Sequence, residues 1–203
     1  MTTRGPRGPY AKSAAKRQLI LEAALAAYAE AGSRGVSVRD IAERVGLTDA
    51  GVLHHFGGRE ALLTAVLEAR DTAAAEKYGE GEALWRPDML AENARTPGLV
   101  KLFVDLAAAA AEPGHPGHAY FTERYDVLRR RWAEQFAAGR PADQPETTIG
   151  ADPEWAARIL IAATDGLQQQ WLLDPSVDMA GDIARLRDVL LVALEHAADR
   201  PRP

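Results

Sequence analysis

The chain has 203 residues, 47% of them hydrophobic and many of these alanine, with no cysteine and a net charge of −5. This is enough chain to bury a sizeable core, and the absence of cysteine excludes a disulfide framework and a thiolate metal site. No apolar run reaches the ~20 residues that span a bilayer, and Arg4 and Arg7 precede no apolar segment of the secretory kind, so a cytoplasmic protein is expected.

The alanine weighting favours packed helices over sheet, and no stretch alternates as a strand would. Charge is unevenly spread. Residues 1–60 carry a balance of +3 and residues 61–203 one of −8. A basic end on an acidic remainder is the footprint of a protein that meets a polyanion with one end only.

Residues 1–10, with two Gly-Pro steps beside Arg4 and Arg7, read as a flexible basic arm. Such an arm either tracks phosphates or does nothing. A first helix is expected from about Ala11 to Ala31, burying Ile20, Ala24, Ala27, Tyr28 and Ala31. Lys12, Lys16 and Arg17 crowd its start, where the helix dipole disfavours cations. Either they form a solvated basic face or a phosphate lies nearby.

Ser37 is an N-cap with Asp40 placed to close a capping box. Val38, Ile41, Ala42 and Val45 share one face of the short helix that follows, and Gly46 ends it in a left-handed cap. Thr48 caps a second short helix, Asp49 to His55. Two short helices joined by a tight glycine turn make a helix-turn-helix. The small residues Asp49, Ala50 and Gly51 leave the N-terminal end of the second helix bare, and that end enters a DNA major groove in such motifs.

Residues Ile41-Ala42, Val45-Gly46-Leu47-Thr48, His55-Phe56, Arg59-Glu60 and Leu62-Leu63, with Gly32 and Val36 before them, give this stretch its character. It resembles the DNA-binding domain of the tetracycline-repressor (TetR) family of bacterial transcription regulators. There are two departures. Leu53 stands where the family usually has a phosphate-contacting tyrosine, and Arg59 where it usually has lysine. Arg59 keeps the charge; His54 is the neighbour able to replace the lost hydroxyl.

A fourth helix should run from Arg59 to about Tyr78, with Leu62, Leu63, Val66 and Leu67 inward. A break from Gly79 to Pro87 precedes a short helix near residues 88–95. Thr96-Pro97 and Asp152-Pro153 each read as a cap followed by proline in the first helical turn. The helix after Thr96 carries Leu99, Leu102, Phe103 and Leu106 and fades in an alanine run to Glu112. Residues 113–117 are a loop. The helix from His118 to Ala138 sets Phe121, Tyr125, Leu128, Trp132 and Phe136 at helical steps, and 139–150 is a linker. The last two helices end at about Leu173 and Ala198, the latter capped by Asp178.

In these two helices, Ile159 to Ala163 and Val189 to Leu194 are apolar on every side. A helix covered all round needs partners on all sides, which predicts a four-helix bundle with a second copy of the chain, the alternative being burial inside one subunit. Ile159, Ala163, Gly166, Leu190 and Leu194 are the expected interface. The segment from Asp165-Gly166-Leu167 to Asp174-Pro175 is similar to regulatory domains of TetR-type proteins from high-GC bacteria.

The chemistry of an enzyme is missing: Ser13 falls in the first turn of the expected first helix and the other serines at caps or loops, and there is no nucleophile elbow, phosphate-cradling glycine loop or H-E-x-x-H. Glu112, His115 and His118 lie near one another in sequence but read as solvated loop residues, so neither metal nor cofactor is expected. Aromatic residues are 6% of the chain, and most lie after residue 80. With the resemblance, Trp85, Met89, Phe103, Phe121, Tyr125, Trp132, Asp165, Gln168 and Trp171 are the expected lining of an effector pocket.

The expectation is an all-α protein of about nine helices: a three-helix DNA-binding domain over 1–58 and a helical regulatory and dimerisation domain over 59–203. Thr48, Arg39 and Arg59 should hold phosphates, with Lys12 and Arg17 supporting them. Ala50, Gly51 and His54 should meet base edges, Asp49 should accept from a cytosine amino group, and His55 should pack or touch phosphate. The resemblance implies a homodimeric repressor of an inverted-repeat operator, released by an unidentified small molecule. The alternative is a helical ligand-binding or protein-interaction module that does not bind DNA; Leu53 keeps it open.

Overall fold

A computed structural model describes residues 9–32, 35–79, 87–138 and 152–196. These form nine helices and no strand: α1 (Pro9–Glu30), α2 (Val38–Val45), α3 (Asp49–Phe56), α4 (Arg59–Tyr78), α5 (Pro87–Asn93), α6 (Pro97–Ala109), α7 (His118–Ala138), α8 (Pro153–Leu173) and α9 (Met179–His196). The expected arm (residues 1–8 of it), Trp85 and the 139–150 linker lie outside the described residues.

The helix starts follow the chemistry of their caps. The Ser37 hydroxyl oxygen accepts from the Asp40 amide while the Asp40 carboxylate accepts from the Ser37 amide at 2.8 Å, a closed capping box. Asp152 accepts from the Trp155 amide and Asp178 from the Gly181 amide at 3.0 Å. Some helix ends differ from expectation. α1 begins at Pro9, because proline in a first turn gives up only an amide the helix leaves unpaired. Thr96 occupies the N-cap position of α6 but makes no side-chain cap bond there. α6 stops at Ala109, short of the end of the alanine run.

The described residues form two compact units. One comprises 1–72 with 96–117, the other 73–95 with 118–203. In the first, α1 packs on α2, α3 and α6. Ile20, Ala24, Tyr28, Ile41, Val52, Leu62, Val66 and Phe103 are buried there. Gly98 in the first turn of α6 lies so close to the end of α1 that a Cβ would stand 2.6 Å from the Tyr28 carbonyl oxygen and 2.9 Å from that of Gly32. In the second unit α8 packs on α7 and α9, and α5 on α9. Its core holds Leu128, Trp132, Phe136, Ala156, Leu160, Ile183, Leu190 and Leu194.

Leu190 and Leu194, expected at a subunit interface, are therefore core residues, 3% and 1% exposed. The apolar run on α9 did not reveal which side was inward. Ile183, Leu190 and Leu194 fall on one stripe, while Val189 and Val192 on the opposite side are 62% and 52% exposed. Ile159 and Trp155 are the corresponding exposed residues of α8.

Candidate nucleic-acid interface

The centre of the site is α3. The Thr48 hydroxyl oxygen accepts from the Gly51 amide at 3.1 Å, satisfying one of the helix's first free donors. A Cβ at Gly51 would stand 3.2 Å from that oxygen, so glycine keeps the cap unobstructed. Gly46, at φ 64°, terminates α2 and turns the chain towards Thr48.

Thr48, Asp49, Ala50 and His54 are exposed, and Gly51 is half-buried. Val52 is fully buried and anchors the opposite side of the helix. The N-terminal end of α3 thus presents small side chains and free amide groups to solvent, the combination that admits a helix end to a groove and favours an anion beside it. Leu53 is half-buried, and His54 beside it is the exposed donor.

Cations surround this motif in sequence. Lys12 on α1 is exposed. Arg39 on α2 is exposed and carries an ion pair with Glu43 at 2.9 Å. Arg59 at the start of α4 is exposed and reaches Glu60 at 3.1 Å. Exposed pairs of this type hold their partners weakly, so both guanidinium groups can exchange a carboxylate for a phosphate. Arg44 is engaged more firmly, taking both oxygens of Glu30 at 2.6 and 3.2 Å and tying α2 to the end of α1.

Arg17, expected among the DNA-facing cations, is turned inward. Its Nη1 donates to the carbonyl of His55, and its guanidinium lies 4.2 Å from the Phe56 ring centroid. His55 is half-buried, with its ring edge-on to His54. Sequence reading missed the arrangement because Arg17 and His55 are 38 residues apart. Only the aromatic residue at the end of α3 hinted at it.

The residues expected to line an effector pocket fall in both compact units. Phe103 belongs to the first unit, 2% exposed, with Arg70 over its ring at 5.5 Å. Met89, Phe121, Tyr125, Trp132, Asp165, Gln168 and Trp171 belong to the second. There Phe121, Trp132, Gln168 and Trp171 are buried. The Tyr125 hydroxyl donates to Asp165 at 2.7 Å. Burial, and then the charge of Asp165, push the Tyr125 phenol well above its ordinary range. Gln135, not singled out from sequence, buries its Oε1 without a hydrogen-bond partner.

His115 is oriented within the first unit. Its Nδ1 accepts from the Gly117 amide at 3.0 Å and its Nε2 lies 3.5 Å from Glu60. Among the described residues no group of three His, Asp or Glu is placed to hold a metal ion, and no helix is long and apolar enough to cross a membrane.

Residues 20–66 match the family described as bacterial regulatory proteins, tetR family. Over 129 residues the chain is 32% identical to the transcriptional repressor AcnR of Corynebacterium diphtheriae, a match covering 59% of this chain and 56% of that protein. The chain thus spans a little over half the length of that relative. Against the transcriptional regulator TtgR of Pseudomonas putida it is 27% identical over 190 residues, covering 85% of this chain and 88% of the other. Among solved structures, a transcriptional regulator from a Rhodococcus species superposes with TM-score 0.61 at 20% identity, over 92% of this chain and 99% of its own. SmeT, the repressor of the Stenotrophomonas maltophilia multidrug efflux pump SmeDEF, gives 0.59 at 21%, over 94% and 98%. The capped helix-turn-helix lies inside the matched region, so the chain carries a domain of the tetR family of bacterial regulatory proteins.

Proposed function

We propose that the chain is a transcriptional repressor that binds an inverted-repeat operator as a cytoplasmic homodimer and leaves it when a small molecule binds. The observation that carries this reading is the exposed, Thr48-capped end of α3, bordered in sequence by the exposed Arg39 and Arg59. Residues 1–58 meet DNA in this account, and 59–203 serve dimerisation and effector binding.

Ala50, Gly51 and His54 approach base edges. Asp49 accepts from a cytosine amino group, and Thr48, Arg39, Arg59 and Lys12 hold phosphates. Two α3 helices enter successive major grooves, ~34–36 Å apart. The second copy seats on the exposed apolar side of α8 and α9, around Trp155, Ile159, Val189 and Val192. Gly166 and Ala163 suit a close helix approach there, since a Cβ at Gly166 would meet nothing within 4 Å in the single subunit.

The effector reading rests on the second unit, which combines buried aromatic residues with Gln168 and the Tyr125–Asp165 pair. Such a mixture suits a largely apolar molecule with one or two polar groups. The effector acts only through its different affinity for the DNA-bound and free states. SmeT, similar in fold, represses a multidrug efflux pump, which makes aromatic drug-like compounds the first class to screen.

The test is the salt dependence of binding to the operator duplex. Wild type should lose affinity steeply with salt, and Arg59→Ala should lower the slope by ~0.9 for each phosphate contact removed. Binding that ignores both salt and the substitution would overturn the phosphate role.

A further inference from the structure

We propose that Arg17 is a positioning residue for the recognition helix: it clamps the C-terminal end of α3 to α1 and thereby sets sequence discrimination, without itself holding a phosphate. The proposal deepens the DNA-binding reading and rests on it for its functional consequence; the clamp itself can be tested without DNA.

α3 is only eight residues long. A helix of that length holds its shape through its ends and its packing rather than through its own hydrogen bonds. Its N-terminal end is fixed by Thr48. At the other end the last four carbonyls have no partner within the helix. The Gly57 amide takes one of them, that of Leu53, at 2.9 Å. Arg17 takes another, that of His55, and brings a full positive charge to the negative end of the helix dipole.

The same guanidinium lies on the Phe56 ring. Its planar face is thus used for stacking and its edge for the hydrogen bond. Lysine has no plane and cannot do both. Arg17 is half-buried, unlike Lys12 in the same helix, which is exposed. Exposed Lys12 can turn to a phosphate, whereas the Arg17 guanidinium is engaged with α3.

The anchors therefore sit at opposite ends. With Thr48 intact and the Arg17 clamp lost, α3 can pivot about its N-terminus. Phosphate contacts from Arg39 and Arg59 survive such a pivot. The register of His54, in the released last turn, against its base edge does not, since base recognition depends on closely set hydrogen-bond geometry. Loss of the clamp should cost specificity before it costs charge neutralisation.

The experiment uses the full-length chain with Arg17→Ala, Arg17→Lys, Phe56→Leu and Lys12→Ala. Amide hydrogen exchange of the free protein comes first. Arg17→Ala and Arg17→Lys should each speed exchange at Val52–Phe56 by about tenfold or more relative to the amides of α2, reporting local release of the helix. Unchanged α3 exchange overturns the clamp, whether or not the chain binds DNA. Binding to the operator and to a duplex with altered half-sites follows. Both Arg17 variants should lose most of the discrimination between the two duplexes while keeping the wild-type salt slope. Lys12→Ala should do the reverse, flattening the slope by ~0.9 with discrimination retained. A flatter slope for Arg17→Ala, restored by Arg17→Lys and with discrimination intact, would make Arg17 a phosphate ligand and overturn the proposal. A purely structural role would lower the active fraction while leaving discrimination unchanged, and that also overturns it. Failure of the wild-type chain to bind any duplex would instead remove the operator reading, leaving the exchange result to judge the clamp.

Discussion

Gly98→Ala places one methyl group where the fold has no room for it. The new Cβ would lie 2.6 Å from the carbonyl oxygen of Tyr28 and 2.9 Å from that of Gly32. Even a close carbon–oxygen approach is ~3.3 Å, so the nearer contact is short by roughly 0.7 Å. Both obstacles are backbone atoms at the end of α1 and cannot rotate aside. α6 must lift from α1, loosening the packing of Leu99, Leu102 and Phe103, all buried in the same unit. Overpacking of this kind costs ~1–3 kcal/mol, partly offset by the helix preference of alanine over glycine, at most ~1 kcal/mol. The net loss is then about 1–2 kcal/mol, and for a chain of this size each kcal/mol moves Tm by ~2–4 °C. Calorimetry on wild type and variant at matched concentration should show a fall of roughly 2–8 °C, on the same scaling. An unchanged or raised Tm would refute the close approach of α6 to α1.

Three further outcomes are expected. Thr48→Ala should lower stability by ~1 kcal/mol in denaturant titration and weaken operator binding as well; an effect on neither would remove Thr48 from both roles. Val189→Glu combined with Val192→Glu should yield folded monomers in sedimentation, because both side chains are exposed in the subunit, whereas Leu190→Glu should unfold the second unit. A folded dimer from the double variant would move the interface elsewhere. Burial pushes the Tyr28 phenol up to about 12, with the charge of Arg59 opposing. The buried neutral phenol therefore stabilises the fold fully below pH ~10. That contribution is lost as the unfolded chain ionises between there and about pH 12. Tyr28→Phe should show a shallower alkaline loss than wild type, and parallel curves would show that Tyr28 does not titrate differently on folding.

Much of the fold is written in local chemistry. Ser37 with Asp40, Gly46, Thr48, Asp152 and Asp178 mark helix ends because capping is settled within three or four residues of sequence. The exposed tip of α3 is legible for the same reason: small residues after a cap leave a bare end. What was not legible depends on distance along the chain. Nothing near Arg17 says that it will meet the carbonyl of His55, so it reads as one more cation beside Lys12 and Lys16. Nothing near Gly98 announces the end of α1. The run from Val189 to Leu194 is apolar on every side, so its pattern has no phase from which to read the inward face. The structure supplies that phase by burying Leu190 and Leu194 and exposing Val189 and Val192. The aromatic residues after position 80 show the same limit, since Phe103 and Phe121 look alike in sequence yet belong to different compact units.

In the proposed repressor, two copies of the α3 tip read one DNA site together. Selection of bound duplexes from a random pool by the purified full-length chain tests it most directly. Enrichment of an inverted repeat with half-site centres about one helical turn apart, lost when His54 and Ala50 are replaced together, is the predicted result. A pool that returns without any shared sequence after repeated rounds at low salt would contradict it.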